Sequence, residues 1–195
     1  MLKDFTTALR PAIVLTLLFA VLLGLAYPAA LTGIGQLVAP AAANGSLIRD
    51  AKGNAIGSAL IGQSFASDRY FHGRPSAAGK GYDATASSGS NLGPASQALT
   101  DRVKGDLATA KASAPGNVVP ADLVTASASG LDPDISPEAA LFQVVRVASA
   151  RGIEPARLRK LVEDNTAWPL LGFIGERRVN VLALNLALDR MTVRP

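Results

Sequence analysis

The carboxylates that could do acid–base chemistry are concentrated in one short part of the chain. Asp132 and Asp134 lie in the segment SGLDPDISP, and Asp122 precedes that segment by a few residues. A pair such as Asp122 and Asp132 could serve as general acid and general base if folding brought the two carboxylates together. The Pro, Gly and Ser content of the segment favours a turn that leads into a helix, with solvated or capping aspartates.

Other catalytic arrangements are missing from the sequence. His72 is the single histidine and there is no cysteine, which excludes thiolate chemistry and histidine-cluster metal sites. The segment GRPSAAGKG at 73–81 has one residue too many for a phosphate-binding loop, and Gly81 stands where a hydroxyl would hold magnesium. The sequence also has no nucleophile-elbow motif G-x-S-x-G. We therefore expect no catalytic residue, no metal site and no cofactor bound by this chain.

Three polar side chains stand out by their surroundings. His72, in YFHGRPS, is interpreted as a hydrogen-bonded or surface histidine of a loop. Gln143 lies among apolar residues, so we expect a neighbouring backbone to satisfy its amide, because an unpaired buried amide costs about 1–3 kcal/mol. Arg74 is expected to pair with Asp68 or with a partner protein.

These polar residues belong to an unusually long polar segment at 64–94. It is rich in Gly, Ser and Asn, a composition that by itself suggests disorder. It also contains four aromatic residues that can each bury a large area and tether the segment to a core: Phe65, Tyr70, Phe71 and Tyr82. We predict an ordered loop, and loops of this length usually have a functional reason to exist.

The apolar run at 11–31 determines where the rest of the chain lies. Residues 12–26 contain no charge, and about 20 apolar residues match the thickness of a hydrocarbon core. A cleavable signal peptide ending near AAA at 41–43 is the alternative, but the run is longer than such signals usually are. Lys3 and Arg10 precede the run and no basic residue follows before Arg49, so we expect a cytoplasmic N-terminus.

The remaining residues read as one domain of mixed composition. We predict a hairpin from strands at 46–49 and 55–63, a third strand at 118–127, and helices at 94–113, 137–151, from 155, and 181–191. Ser136 is the expected cap of the second helix, Gly152 ends it, and Asn180 could cap the last helix. Leu141, Val144, Val145 and Ala148 are the expected inward residues of the second helix. The fold class is α+β: a single N-terminal transmembrane helix followed by one extracytoplasmic mixed α/β domain. Its parts are a cytoplasmic tail at 1–11, the span at 12–31, a connector at 32–44 and the domain at 45–195.

The net charge of +4 does not indicate nucleic-acid binding. Such binding needs a concentrated basic face with interleaved aromatic residues. The densest basic stretch, at 146–160, contains no aromatic residue, so we interpret it as a solvated helical face.

Several long words of the sequence resemble one family, the C subunits (KdpC) of bacterial potassium-transporting Kdp ATPases. They occur in the family's order and cover nearly the whole chain: NGSLI at 44–48, GSALIGQSF at 57–65, YFHGRPSA at 70–77, SSGSNLGP at 87–94, VTASASGLDPDISPEAA at 124–140, QVVRVASARG at 143–152 and GERRVNVLALNLALD at 175–189.

The resemblance implies a non-catalytic, single-span subunit that assembles and stabilises an ATP-driven, high-affinity potassium import complex. The implied partners are a potassium-translocating membrane subunit, a P-type ATPase catalytic subunit and a small additional membrane subunit, all in the bacterial inner membrane. The complex would use ATP, magnesium and K+, while this chain lacks the D-K-T-G phosphorylation signature. A nucleotide role attached to the family involves residues 129–133 with Gln143, and the predicted exterior location places these residues away from cytoplasmic ATP.

We expect two surfaces to contact partners. The polar loop at 73–93 is the candidate outside the membrane, with the residues Arg74, Tyr82, Ser88, Asn91 and Gln143. Small residues allow helices to pack closely in lipid, so within the span we choose Ala12, Ala20, Gly24, Ala29 and Ala30. The alternative to the subunit is a stand-alone anchored or secreted enzyme, or a small-ligand-binding module that uses the Gly/Ser-rich loop.

Overall fold

A computed structural model describes residues 2–192 and the side chains of residues 6–191. The chain divides into two compact units, at residues 1–47 and 48–195. The first residue of the predicted cytoplasmic tail and the last three of the predicted exterior domain lie outside the described residues.

The N-terminal unit is mostly helical between residues 2 and 43. Helix α1 (Leu2–Val21) passes through a π-helical turn (Leu22–Ala26) into α2 (Tyr27–Val38), and a short α3 (Pro40–Ala43) follows. The helix does not stop at Leu31, and most of the predicted connector is helical. The segment TGIGQLV at 32–38 contains no proline, and the helix continues to Val38. Ala39, which precedes Pro40, leaves the helical conformation with φ −142°.

The second unit holds two small sheets. Strands β1 (Leu47–Arg49) and β2 (Ala55–Ser58) form the predicted hairpin, although β2 ends five residues earlier than expected. Within β2, a Cβ atom at Gly57 would meet the Gln63 side chain, whose Nε2 folds back and donates to Ile56 O. The other sheet has the antiparallel order β3 (Asp134–Ile135), β5 (Arg178–Asn180), β4 (Thr166–Ala167).

Four helices complete this unit: α4 (Gln97–Ser113), α5 (Pro137–Arg151), α6 (Pro155–Asp164) and α7 (Val181–Thr192). Helix α5 begins and ends as predicted. Ser136 Oγ accepts a hydrogen bond from Ala139 N, and Gly152 adopts the left-handed conformation that closes the helix. The predicted C-terminal helix is also confirmed, and Asn180 Oδ1 caps it through Ala183 N.

The core lies where α5, α6 and α7 pack against the three-stranded sheet. It contains Ile135, Val144, Val147, Leu158, Val162, Val179, Leu184 and Leu188, together with Phe71 from the long loop. Leu141 and Val145 were predicted to point inward, and this is wrong because both are exposed; Phe142 and Val147 take the buried positions instead.

Two further element predictions are wrong. Residues 118–127 form no strand; they contain a 3₁₀ turn (Ala121–Leu123), and Asp122 is used to accept a hydrogen bond from Ser136 N at 2.6 Å. Helix α4 begins at Gln97 rather than at Pro94, which lies in the preceding turn. The apolar spacing of α4 predicts a buried stripe, but its four members are only half-buried: Leu99, Val103, Leu107 and Ala110.

Candidate functional site

The long loop, α4 and α5 enclose a cleft of about 440 Å³. Three of the five predicted partner residues outside the membrane line it, namely Arg74, Tyr82 and Gln143. Arg146 and Asp106 add charges of opposite sign to its wall. The geometry of these groups decides whether the cleft is a ligand site or part of the scaffold.

Gln143 is a structural amide. Its Nε2 donates to His72 O at 3.0 Å and to Ala139 O at 3.2 Å, while its Oε1 accepts from His72 N at 2.7 Å and from Arg146 Nη2 at 2.7 Å. A carboxamide has two donors and two acceptor lone pairs, so every bond it can make is made. With 5% of its surface exposed, Gln143 has no group left for a ligand. The prediction that backbone satisfies this amide is confirmed.

Asn185 on α7 holds the adjacent residue of the loop in the same way. Its Oδ1 accepts from Phe71 N and its Nδ2 donates to Phe71 O, both at 2.9 Å. Two carboxamides from different helices therefore take the place of a neighbouring strand for the backbone of residues 71–72. This pairing lets an irregular segment enter the core without leaving buried backbone groups unsatisfied.

Arg146 binds the backbone at the start of the loop, next to the residues that the two carboxamides hold. Its guanidinium donates to Asp68 O at 2.8 Å and to Tyr70 O at 3.0 Å, and lies 3.5 Å from the Asp68 carboxylate. Burial lowers the pKa of Arg146 below its ordinary value. Burial also lowers the pKa of His72, whose Nε2 lies 3.0 Å from Ser67 O and whose ring faces Arg146. The interpretation of His72 as a hydrogen-bonded loop residue is confirmed.

Arg74 pairs with Asp132 at 2.9 Å, and its other nitrogens bond Thr125. The expected pairing with Asp68 is wrong, because Asp68 lies beside Arg146 instead. Tyr82 closes the turn by donating its hydroxyl to Arg74 O at 2.7 Å, and burial raises the pKa of Tyr82 to about 12. Both residues hold the loop against the segment that contains Asp132.

The segment SGLDP at 129–133 is the part of the chain against which the loop is held. Its carbonyls accept from four residues in three parts of the chain: Ser129 O from Ser88 N, Gly130 O from Ser76 Oγ, Leu131 O from Gly62 N, and Pro133 O from Val181 N. Gly130 has φ +66°, and a Cβ atom there would lie 2.7 Å from Ala78 N and from Ser88 O. The segment therefore connects the loop, the first hairpin and α7.

Both carboxylates of the candidate acid–base pair have structural partners. Asp122 accepts from Ser136 N and Asp132 is paired with Arg74, so each carboxylate has a structural partner. Asp134 bonds Asn180 and lies 3.1 Å from Arg178; its pKa is raised by burial. Within the part of the chain that the structure describes, no three His, Asp or Glu side chains are grouped to hold a metal ion.

Two predicted partner residues lie apart from the cleft wall. Ser88 is half-buried and its hydroxyl turns back to Gly89 O, while Asn91 is exposed with φ +52°. The five residues of the predicted partner surface thus do not form one group. Three of them stabilise the loop from inside.

A surface that the sequence reasoning overlooked lies between β4 and β5. We call residues 168–174 the apolar tip. They present their large side chains to solvent: Trp168 73%, Leu170 69%, Leu171 74%, Phe173 77% and Ile174 51% exposed. The run WPLLGFI is visible in the sequence, but a hydrophobic run of this length looks like a buried strand until its surroundings are known.

The helix of the N-terminal unit also exposes large apolar side chains, and over a longer stretch than the apolar tip. Residues Thr6–Val38 form one helix long and apolar enough to cross a membrane, and none of its candidate window is buried. The small residues selected for packing, Ala12, Ala20, Gly24, Ala29 and Ala30, all lie on this helix with exposed positions. Gly24 falls in the π-helical turn, where nothing lies within 4 Å of its Cβ position.

Comparison with known proteins covers nearly all of the chain. A family model described as KdpC, K+-transporting ATPase, c chain, matches residues 9–190. The chain belongs to the KdpC family. It is 62% identical to the potassium-transporting ATPase KdpC subunit of Caulobacter vibrioides over 181 residues, 93% of this chain and 92% of the relative. The KdpC subunit of Rhodopseudomonas palustris is 57% identical over 201 residues, 97% of this chain and 98% of the relative.

Proposed function

We propose that this chain is the non-catalytic, single-span subunit of an ATP-driven potassium import complex, and that it holds the ion-translocating and ATP-hydrolysing subunits together. The observation that carries the proposal is the match to KdpC subunits over residues 9–190, which includes both the apolar helix and the folded domain. The relatives are named as subunits of potassium-transporting ATPases. Nothing in these comparisons favours a stand-alone enzyme or ligand-binding module.

The chain's own chemistry supports a non-catalytic role. The carboxylates, the imidazole and the amide that line or adjoin the cleft are engaged in bonds that hold the loop, α5 and the SGLDP segment together. A general acid or base needs a face that is open to substrate. We assign ATP, magnesium and K+ to the companion subunits and none of them to this chain.

We place the folded domain outside the cytoplasm. Arg10 lies just before the uncharged run at 12–26 and Arg49 is the first basic residue after it, so the basic residues near the span favour a cytoplasmic N-terminus. In this orientation, residues 129–133 and Gln143 would not meet cytoplasmic nucleotide. The complete internal bonding of Gln143 supports the same conclusion independently of topology.

The chain has no native cysteine, which makes the orientation directly measurable. Lys3→Cys reports the N-terminal side, and Ala84→Cys reports an exposed position of the domain. In intact spheroplasts a membrane-impermeant maleimide should label Ala84→Cys, and Lys3→Cys should react only after the membrane is opened. The reverse pattern would place the domain in the cytoplasm and overturn this part of the proposal.

Co-purification tests the assembly role. The full chain, expressed with its neighbouring membrane subunits and extracted in mild detergent, should elute with a channel-like subunit and a P-type ATPase, and its deletion should abolish recovery of the complex and potassium uptake. Elution of the chain alone would contradict the proposal.

We further propose that the small residues of the span contact a helix of the ion-translocating subunit. Replacing residues 12–31 by a generic polyleucine span should keep the chain in the membrane and weaken the complex, because large side chains prevent close helix approach. The matched control replaces only leucines already present on the helix, such as Leu17 and Leu18, by isoleucine. An unchanged complex with the polyleucine span would show that the span is only an anchor.

A further inference from the structure

The apolar tip is unlike the rest of the folded domain. Residues 165–175 contain no charge, and five of the seven tip residues are large apolar side chains that are more than half exposed. A folded domain usually exposes such side chains singly, and a contiguous group marks an interaction surface. The tip lies outside both partner surfaces predicted from the sequence.

The tip is built to present these side chains rather than to bury them. Leu170 N donates to Ile174 O at 3.1 Å and Ile174 N to Leu170 O at 2.9 Å, so backbone bonds close the tip without help from its side chains. Leu171 has φ +55°, a conformation that glycine or asparagine adopts more readily. At 74% exposure the Leu171 side chain gains little from the domain's own packing and is free to contact an apolar surface.

We propose that the apolar tip inserts into the interfacial region of the lipid bilayer that the chain's own N-terminal helix crosses. This inference rests on the membrane span of the proposed function, because a domain tethered by one span stays at a high local concentration near lipid. Tryptophan prefers the membrane–water interface, where its ring meets both apolar and polar surroundings. Leucine, isoleucine and phenylalanine at the end of a closed hairpin supply the part that enters the acyl region.

Two arginines and one exposed carboxylate, Glu176, lie at the base of the tip, and the excess of basic side chains suits anionic lipid headgroups. Arg177 and Arg178 follow the tip with 48% and 62% of their side-chain surface exposed, and the Arg177 guanidinium lies 5.5 Å from the centre of the Trp168 ring. An aromatic ring with a guanidinium beside it suits the membrane interface, because the ring can contact acyl chains while the cation contacts anionic headgroups. Arg177 and Arg178 also pair with Glu138 and Asp134 within the domain, so they fix the base of the tip as well.

The base of the tip is connected to the hairpin through which the chain reaches the domain. Asn180 Nδ2 donates to Ala59 O at 3.0 Å, just after β2, and a Cβ atom at Gly57 would come within 2.8 Å of the Leu182 side chain. The base of the tip is thus fixed to the rest of the folded domain.

Trp168 is the single tryptophan of the chain, so its fluorescence reports the tip alone. The experiment uses the full chain reconstituted in vesicles of phosphatidylcholine and phosphatidylglycerol, with bromine on the acyl chains close to the headgroup or near the bilayer centre. We expect loss of Trp168 emission with brominated lipid, larger for the shallow bromine, and weak quenching by aqueous iodide. Strong iodide quenching with no bromine effect would overturn the proposal.

Matched variants separate lipid contact from a general change in the domain. Phe173→Ser should reduce bromine quenching and raise iodide quenching, whereas Val118→Ser, at a valine that is 91% exposed elsewhere in the domain, should change neither. An unchanged Phe173→Ser profile would count against the proposal. Circular dichroism confirms that both variants stay folded.

The assembled complex, reconstituted in the same lipids, tests the competing occupant after the tryptophans of its companion subunits are replaced by phenylalanine. Bromine quenching that persists in the complex supports lipid contact. Protection of Trp168 from both bromine and iodide would show that a companion protein covers the tip, and would overturn the lipid assignment. Carbonate extraction of the chain tests the span separately, so a loss of anchoring is distinguishable from a failure of the tip.

Discussion

The long polar loop and the apolar tip reverse the roles that their compositions suggest. The loop at 64–94 is rich in Gly, Ser and Asn, yet Gln143, Asn185 and Arg146 bind its backbone and Phe71 enters the core. The tip at 168–174 is apolar, yet its side chains face solvent. Composition predicts what a residue prefers, whereas the surrounding elements decide whether that preference can be met inside the chain. A group of apolar side chains that the fold leaves exposed therefore indicates a surface that contacts a partner or a membrane.

The largest effect is expected where the loop meets SGLDP. Gly130→Ala should lower the free energy of unfolding by about 3 kcal/mol, because the residue has φ +66° and its Cβ would collide with the backbone at Ala78 and Ser88. Urea unfolding of the full chain in mild detergent, followed by near-ultraviolet circular dichroism, measures the change. Gly116→Ala is the control, since it has φ +83° with nothing within 4 Å of the Cβ position and should lose only about 1 kcal/mol. Equal losses for the two variants would show that SGLDP is not a crowded junction.

Removal of the Gln143 carboxamide should lower the free energy of unfolding by nearly as much. Gln143→Leu leaves His72 N and His72 O without partners and should destabilise the domain by about 2–3 kcal/mol. Gln97→Leu, at an exposed glutamine that bonds only Asp101, should stay within about 0.5 kcal/mol of the wild type. The ATP dependence of the assembled complex should be unchanged in the fraction of Gln143→Leu complexes that remain folded. A specific rise in the ATP concentration required would assign Gln143 a nucleotide role instead.

The single histidine adds a pH dependence to the loop. Burial lowers the pKa of His72 below 6.5, so the unfolded chain binds more protons than the folded chain in the range just below pH 6.5. The contribution of His72 to stability is complete above that pH and is lost as the pH falls through the lowered value. Comparing urea midpoints of the wild type and His72→Gln across this range isolates the effect from the carboxylates. Parallel profiles would show that the ring is not desolvated.

The smallest effect on stability is expected at the tip. Leu171→Asn should leave the free energy of unfolding unchanged or raise it by about 0.5 kcal/mol, because asparagine tolerates φ +55° and the leucine is 74% exposed. The same urea titration tests this expectation. A loss of more than about 1 kcal/mol would mean that the tip belongs to the core, and the contrast between the two regions would fail.

Local sequence signals predicted the helices whose ends are set by capping residues close in sequence. Ser136 with Pro137 begins α5, Gly152 ends it, and Asn180 caps α7, because a cap bonds within its own turn. Residues 118–127 were predicted as a strand from their valines, but Asp122 reaches 14 positions along the chain to Ser136 N. No local pattern reveals that bond. The inward face of α5 was misread for the same reason, since the partners of Phe142 and Val147 come from other elements.

The sequence by itself determined the family and a helix long and apolar enough to cross a membrane, because long sequence motifs and hydropathy need no tertiary contact to be recognised. The tertiary structure decided which residues are scaffold and which are surface. Gln143, Arg74 and Tyr82 are predicted contact residues, and the structure shows that each also bonds within the folded domain, to His72, Asp132 and Arg74 respectively. Trp168 and Phe173 are left exposed because β4 and β5 pair below the tip and no element of the described chain covers it.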